Sequence, residues 1–197
     1  MWDERYSQNG YLFGTEPADF LKNRSDLLSP GLTALAVADG EGRNSVFLAQ
    51  HGVETTAFDA SPVALAKAKA LAGAQKVRVD YHVAEMERWP WQRRAYDLVV
   101  AIFIQFLAPT AMAHAFQGMQ QALRPGGRIL LHGYRPEQLE YRTGGPPEVE
   151  NLYTEELLRQ AFEGLDIERL ASYDAEIREG TGHVGRSALI DLVARKL

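Results

Sequence analysis

The chain of 197 residues contains no cysteine, which excludes disulfide bonds and metal sites built from thiolates. It also lacks a long hydrophobic run. The longest, residues 98–104, is far shorter than the roughly 20 residues that a membrane-spanning helix needs. The opening MWDERYSQNG has no apolar core of the signal-peptide kind. We therefore expect a cytoplasmic protein with no membrane partner.

Basic charge is also scarce. Lysine and arginine together number 21 against 26 acidic residues, a net charge of -5. This balance argues against a broad nucleic-acid-binding surface, which is usually basic. No group of histidines and carboxylates has the spacing of a metal site, so no metal is expected. The length and the apolar fraction of 46% predict one globular domain covering residues 1–197.

Strand patterns alternate with helix patterns along the chain. The periodicity predicts strands at 32–37, 53–60, 76–83, 96–104 and 128–134, with two more near 165–174 and 184–195. Between them lie the helix patterns NSVFLAQHG, PVALAKAKALA, a helix through Met112, Phe116, Met119 and Leu123, and EELLRQAF. This alternation predicts an α/β fold with a mostly parallel sheet and helices on both faces.

Several helix boundaries carry their own signals. Gly52 is placed to end the first main helix, and Ser61 to cap the next, which begins with Pro62. Thr154 is placed to cap the last helix. Residues 135–153, which include GGPP, form an unusually long connection. Such a segment is either a lid or substrate loop or a surface insertion, and the sequence leaves both open.

A glycine turn follows the first strand in LAVADGEGRN, residues 35–44. Gly40 and Gly42 would let the backbone approach a ligand closely. In open parallel sheets, ligands bind beyond the carboxyl ends of the strands. Asp59 ends the next strand, where a carboxylate can accept hydrogen bonds from ribose hydroxyls, although it is equally suited to the entry of the following helix. The dinucleotide pattern G-x-G-x-x-G fails, because its third glycine is replaced by Ser45.

Four segments carry a resemblance to a known family: ADGEGRNSVFLA, AFDASPVALAKAKALA, YDLVVAIFIQFL and LRPGGRILL. The chain resembles the class I S-adenosylmethionine-dependent methyltransferases over nearly its whole length. The opening WDERYSQNGYLFGTEPADFL and the turn GEGRN make it most similar to the tellurite-resistance type, whose acceptors are small molecules. The resemblance implies a Rossmann-like, doubly wound seven-stranded sheet, mostly parallel with an antiparallel last strand.

The resemblance also implies a site for S-adenosyl-L-methionine. Residues 1–30 would cap the cofactor, and 135–153 would form the substrate loop. The turn would lie under the methionine moiety, Asp59 would bind the ribose, and Glu85 and its neighbours would surround the adenine. The implied cofactor-binding residues are Ala38, Asp39, Gly40, Gly42, Asp59, Ala60, Ala84, Glu85, Met86, Ala101 and Ile102, and Phe103 would extend the wall near the sulfonium.

The first motif departs from the family pattern D/E-x-G-x-G-x-G. Ala36 stands at the acidic position and Ala38 at the first glycine. In the family, that acid orients a water or accepts a hydrogen bond from the cofactor's amino group. Asp39, three residues further along, is a candidate to replace it.

Acceptor-site candidates come from four places. His183 lies in the glycine-rich GTGHVG, and Tyr11 lies in the N-terminal segment with Tyr6 and Phe13; we take His183 and Tyr11 as the catalytic candidates. His132 and Tyr134 end the fifth strand, where a histidine is more often a satisfied core residue. Arg43 follows the glycine turn, where an anionic acceptor or solvent would meet it.

Three functions remain open from the sequence. The leading one is methyl transfer to a small acceptor, such as a thiol or a chalcogen oxyanion, which needs no fixed base when the acceptor is already ionised. The others are a nicotinamide-dependent oxidoreductase and a non-catalytic module that binds the cofactor.

Overall fold

The computed structural model describes residues 2–91 and 95–197. Seven strands form one sheet in the order β3-β2-β1-β4-β5-β7-β6. The strands are β1 (Thr33–Val37), β2 (Glu54–Asp59), β3 (Asp80–Val83), β4 (Tyr96–Ile102), β5 (Leu123–Tyr134), β6 (Asp166–Glu179) and β7 (His183–Arg195). The α-helices are α1 (Trp2–Tyr6), α2 (Asp19–Lys22), α3 (Arg43–Gln50), α4 (Pro62–Ala74), α5 (Pro109–Ala122), α6 (Gln138–Tyr141) and α7 (Glu155–Ala161). Short 3₁₀ turns cover Ser25–Leu27, Met86–Arg88 and Val149–Asn151.

The strand directions confirm the predicted fold class. β1 pairs with β2, β2 with β3 and β4 with β5, all in parallel. β7 pairs with β5 in the antiparallel sense. The doubly wound α/β sheet with an antiparallel last strand was therefore predicted correctly.

The chain divides into two compact units. The first contains Met1–Trp89 and Glu179–Gly182, and the second contains Pro90–Arg178 and His183–Leu197. A single domain over residues 1–197 stays a prediction. Among the described residues, no helix has the length and apolar character needed to cross a membrane.

In the first unit, the predicted helix signals take their expected positions. The Ser61 hydroxyl accepts a hydrogen bond from the N–H of Ala64 and caps α4, whose first residue is Pro62. Gly52 has φ +76° just beyond α3. Ser61 thereby fixes where α4 begins after β2, and Gly52 lies where the chain leaves the end of α3.

The third strand is shorter than predicted. The sequence pattern suggested residues 76–83, but β3 covers only Asp80–Val83. The N–H of Val77 donates to the carbonyl of Ala72 and that of Lys76 to Gly73, while Lys76 has φ +56°. This is the left-handed closure of a helix C-terminus. The end of α4 therefore uses the residues that would otherwise extend the strand.

In the second unit, α5 buries Met112, Phe116 and Met119 as predicted. The helix ends at Ala122, however, and Leu123 opens β5, which runs through RPGG to Tyr134. The predicted fifth strand, 128–134, is the mostly buried part of that longer strand. Leu123 is buried in either case, so helical spacing alone did not distinguish the two assignments.

The 135–153 segment is folded and anchored within the second unit. Gln138, only 1% exposed, donates through Nε2 to the Thr143 hydroxyl at 2.9 Å and to the Gly144 carbonyl at 3.0 Å. Its Oε1 accepts from the N–H of Ala188 in β7 at 2.9 Å. A buried amide with three partners holds the segment in one conformation. Its role as a substrate loop stays a prediction.

Candidate cofactor and acceptor site

The glycine turn leaves β1 in a left-handed conformation. Gly40 has φ +62° and Gly42 has φ +92°. A Cβ atom on Gly42 would lie 2.7 Å from the Cβ of Ala68, and one on Gly40 would lie 3.0 Å from the Tyr6 hydroxyl. Both positions therefore need glycine, for backbone conformation and for space.

Ala38 keeps a conformation that glycine would adopt more easily. Its φ is +48°, in the left-handed region, although it carries a Cβ. This costs about 1 kcal/mol for an L-residue. The chain thus keeps a left-handed backbone at position 38 although the residue there is alanine.

Asp59 joins the end of β2 to the glycine turn. Its Oδ2 accepts from the N–H of Gly40 at 2.9 Å, and its Oδ1 accepts from the N–H of Ser61 at 2.9 Å. The residue therefore does serve the entry of α4, as one sequence interpretation held, while it also holds the turn. Each carboxylate oxygen has a second lone pair, so ribose hydroxyls can still be accepted. Burial raises the pKa of this carboxyl.

Asp39 presents an acceptor atom with no partner. Its Oδ1 accepts from the N–H of Ser45 at 3.2 Å, while its Oδ2 is inaccessible to water and has no hydrogen-bond partner among the described residues. Burial raises the pKa of this carboxyl to about 7, and the nearby charge of Asp59 acts in the same direction. A buried, unpaired carboxyl oxygen is uncommon in a folded protein and often marks a binding position.

The proposed adenine side follows β3 in the same unit. The N–H of Ala84 donates to the carbonyl of Asp59 at 3.0 Å, which fixes the chain next to the end of β2. Met86 is buried, Ala60 is exposed, and Glu85 is exposed with its carboxylate 3.2 Å from Nε of Arg88. Met86 thus offers an apolar surface, and Glu85 lies at the rim.

The N-terminal segment is tied to the turn through Glu41, a residue that sequence reasoning missed. The Glu41 carboxylate, 3% exposed, accepts from the N–H of Leu12 at 2.7 Å and pairs with Lys67 at 2.9 Å. Tyr11 donates its hydroxyl to the carbonyl of Lys67 at 3.2 Å. Its ring packs against a small cluster that includes Val46. Tyr11 is therefore placed near the turn, with its hydroxyl already engaged.

Arg43 is neither solvated nor open to an acceptor. Its guanidinium is buried and lies 2.7 Å from the carboxylate of Glu179, and it also donates to the carbonyl of Phe13 at 3.4 Å. No sequence pattern indicated this pair, because its partners are separated by 136 positions. Arg43 therefore has a structural role next to the glycine turn.

In the second unit, the end of β4 carries a group of rings. Ala101 is buried, Ile102 is half-buried, and Phe103 follows with φ +55°, which is unusual for a bulky residue. The ring of Phe103 lies 4.3 Å from that of His183 and 4.8 Å from that of His132, and Tyr134 lies 4.6 Å away. Three sequence candidates thus converge on one aromatic side chain.

His132 is satisfied as a core residue on its Nδ1 side. That atom lies 2.8 Å from Oδ1 of Asp191, which also accepts from the Tyr173 hydroxyl at 3.0 Å. Asp191 further contacts Arg169 at 3.2 Å. The arrangement agrees with the interpretation that a histidine in an apolar strand is usually a partnered core residue.

The first unit fits a ligand that carries a ribose and a cationic amine. Two carboxylates, Asp39 and Asp59, contact the glycine turn and the start of α3 through hydrogen bonds, and Asp39 keeps one acceptor atom unpaired. Within residues 2–91 and 95–197, no group of three metal-binding side chains comes together. Hydroxyl and ammonium donors are the partners that these acceptors require.

Comparisons with known proteins give the family. Residues 34–127 match a family model described as a methyltransferase domain. Over 105 residues the chain is 31% identical to an uncharacterized methyltransferase of Synechocystis sp., covering 53% of this chain and 48% of that one. Over 102 residues it is 29% identical to an uncharacterized protein of Mycobacterium tuberculosis, covering 52% and 37%. The chain spans half or less of the length of these curated relatives.

Solved structures show the same fold. TehB from Haemophilus influenzae superposes with a TM-score of 0.75 at 16% identity, over 100% of this chain and 66% of that one. A methyltransferase from Methanosarcina mazei gives 0.74 at 17% identity, over 92% and 99%. Residues 34–127 therefore carry a methyltransferase domain, within a seven-stranded sheet whose last strand is antiparallel.

Proposed function

We propose that this protein transfers the methyl group of S-adenosylmethionine to a small-molecule acceptor, in the cytoplasm. The observation that carries the proposal is the pair of hydrogen bonds that fix the Asp59 carboxylate between Gly40 and Ser61. They hold the Asp59 carboxylate at the end of β2 beside the glycine turn, which supports its proposed role as the ribose acceptor. The methyltransferase domain favours this function over hydride transfer.

Residues of the first unit bind the ribose, the methionine moiety and the base of the cofactor. Asp59 accepts the ribose hydroxyls, and the turn from Ala38 to Gly42 supplies backbone next to the methionine moiety. Ala84 and Met86 contribute an apolar surface for the base, with Ala60 and Glu85 at its edge. When bound, the cofactor supplies a methyl group on a positively charged sulfur. In the second unit, Ala101 and Ile102 at the end of β4, followed by Phe103, remain the residues that the resemblance implies for cofactor binding.

The ion pairs of the arginines favour a small acceptor over a nucleic acid. Arg128 forms two hydrogen bonds with Glu168, and Arg135 and Arg186 both contact Asp174. Arg43 is buried against Glu179. Side chains that are neutralised within the fold contribute little to binding a phosphate backbone. The net charge of -5 acts in the same direction.

His183 is the residue that we propose faces the acceptor. It begins β7, is mostly buried, and packs its ring against Phe103 and Tyr134. A neutral imidazole can take a proton from an acceptor such as a thiol, whereas an oxyanion acceptor has none to lose. Tyr11 is proposed to act from the N-terminal segment, with its hydroxyl released from Lys67.

A labelled-methyl assay over a panel of thiols, selenium and tellurium oxyanions, and amines tests the proposal. Wild type is compared with His183→Gln and with His51→Gln, a control histidine on the first unit. With a protonated acceptor, His183→Gln lowers kcat/KM by about 10²-fold or more, and His51→Gln has no effect. With an ionised oxyanion, both variants retain activity. Cofactor binding without turnover on any acceptor would contradict the proposal and indicate a non-catalytic module.

A further inference from the structure

The carboxyl group of Asp39 is the one buried acceptor in the turn that the protein itself leaves incomplete. Its Oδ1 is used by the N–H of Ser45, and its Oδ2 has no partner among the described residues. By contrast, both oxygens of Asp59 and the carboxylate of Glu41 accept hydrogen bonds from the protein. An unpartnered buried oxygen is unfavourable, so a ligand that donates a hydrogen bond to it gains affinity.

The charged groups around Asp39 favour the binding of a cation beside it. Asp59, at the end of β2, adds negative charge, and the nearest cation, Arg43 of α3, is held by Glu179. Tyr6 of α1 and Tyr81 of β3 also face Asp39, and burial raises the pKa of each phenol far above the working range, so both stay neutral. The charged groups around Asp39 thus leave an excess of negative charge beside it.

We propose that Asp39 receives the amino group of the cofactor's methionine moiety, in place of the acid that is missing at Ala36, and that binding is coupled to release of a proton from Asp39. This inference rests on the proposed function. Of the two cationic groups in S-adenosylmethionine, only the ammonium donates hydrogen bonds, and an unpaired carboxylate oxygen requires a donor.

The coupling follows from burial. In the protein without ligand, the Asp39 carboxyl has a pKa of about 7 and is largely protonated under mildly acidic conditions. An adjacent ammonium favours the ionised form, so the proton leaves when the ligand binds. The ligand's own amine, with a pKa of about 8, must be protonated in the complex. Affinity is therefore highest between the two pKa values and falls on either side.

Isothermal titration calorimetry with two ligands tests this proposal. S-adenosylhomocysteine carries the amino acid moiety, whereas 5′-methylthioadenosine has the same nucleoside without it. Titrations in buffers of different ionisation enthalpy count the protons released. For wild type we expect the S-adenosylhomocysteine affinity to rise roughly tenfold between pH 6 and pH 7.5, with close to one proton released at pH 6. The 5′-methylthioadenosine affinity should stay flat, which separates Asp39 from Asp59, because both ligands contain the ribose.

Asp39→Asn keeps an oxygen for the N–H of Ser45 while removing the charge. It should weaken S-adenosylhomocysteine at least tenfold at pH 7.5, abolish proton release and leave 5′-methylthioadenosine within twofold. Glu54→Gln, an exposed carboxylate at the far end of β2, serves as the matched control. Thermal unfolding shows whether each variant is folded. The number of protons released is measured on the wild-type protein, so that test does not depend on the folding of a variant.

The outcomes separate this inference from the proposed function. Binding of both ligands with no proton released near pH 6 would overturn the role of Asp39 and leave an internal water as its partner, with the cofactor site intact. An equal loss of both ligands in Asp39→Asn would also overturn it. If wild type binds neither ligand, both the proposed function and this inference fail.

Discussion

The guanidinium of Arg43 lies 2.7 Å from the carboxylate of Glu179, and both side chains are more than nine-tenths buried. The pair joins the first residue of α3 to the last residue of β6, next to the turn between β6 and β7. The same turn donates from the N–H groups of Thr181 and Gly182 to the carbonyl of Leu12 at 2.9 and 3.0 Å. Within the first unit, the glycine turn, the N-terminal segment and the hairpin turn are therefore held together by buried polar contacts.

Removing one member of this pair should destabilise the protein strongly. Glu179→Gln leaves a buried guanidinium without its counter-charge, which costs about 3 kcal/mol or more. Arg43→Gln should cost a similar amount. Urea unfolding measures both. Arg128→Gln is the matched control, since its partner Glu168 is more exposed and the loss should stay below about 1 kcal/mol. Equal small losses for all three variants would show that Arg43 and Glu179 are held by something other than each other.

Ala38→Gly should stabilise the protein, although a glycine is being added. Ala38 has φ +48°, so glycine relieves about 1 kcal/mol of backbone strain, less its greater freedom in the unfolded chain. Ala36→Gly is the matched control two residues away, where the same change in a buried strand should cost about 1 kcal/mol. Chemical unfolding of the two variants should therefore shift in opposite directions. A loss of stability in both would contradict the left-handed assignment of Ala38.

Gly42→Ala should be severely destabilising. The added Cβ would lie 2.7 Å from the Cβ and 2.8 Å from the Cα of Ala68, and φ is +92°. Overpacking against backbone costs about 1–3 kcal/mol before the strain is counted. Gly73→Ala, inside α4 with open space around it, should instead stabilise by up to about 1 kcal/mol. Similar thermal shifts for the two alanine variants would contradict the close contact between the turn and α4.

Asp39 should make the ligand-free protein less stable as the pH rises. Its pKa is about 7 in the folded state and is ordinary when unfolded, so the folded state holds the proton more tightly. Its contribution is fully present below about pH 4 and is lost as the pH rises through about 7. Asp39→Asn should therefore gain stability relative to wild type between pH 4 and pH 7, with no further gain above pH 8. A difference that does not change with pH would contradict the burial of this carboxyl.

Much of the fold could be predicted because local signals agree with the tertiary structure. Ser61 with Pro62, Thr154 and Gly52 mark helix ends through their own backbone chemistry, and the caps at Ser61 and Thr154 form as expected. The third strand was predicted too long because the C-terminal closure of α4 at Lys76 competes with strand propensity. Leu123 satisfied helical spacing but lies in β5, since a buried leucine fits either element.

Only those site residues that belong to a recognisable sequence motif could be predicted. Gly40, Gly42 and Asp59 follow from strand ends and glycine geometry. Glu41 and Glu179 could not be predicted, because a buried acid is recognisable only from the cation that neutralises it. Those cations, Lys67 and Arg43, lie 26 and 136 positions away. Because Arg43 follows the glycine turn, we expected its side chain to meet an anionic acceptor or solvent. In the structure, its guanidinium instead pairs with Glu179. The unpaired oxygen of Asp39 likewise becomes visible only when all neighbouring donors have been located.

Calorimetric titration with S-adenosylhomocysteine tests the central claim most directly. Wild type, Asp59→Ala and the control Asp80→Ala, an exposed carboxylate on β3, are compared, with NADH as a second ligand and thermal unfolding as the folding check. The methyl-donor account predicts that wild type and Asp80→Ala bind S-adenosylhomocysteine alike, that Asp59→Ala binds at least tenfold more weakly, and that NADH gives no heat. Binding of NADH without binding of S-adenosylhomocysteine would contradict it and assign the glycine turn to hydride chemistry.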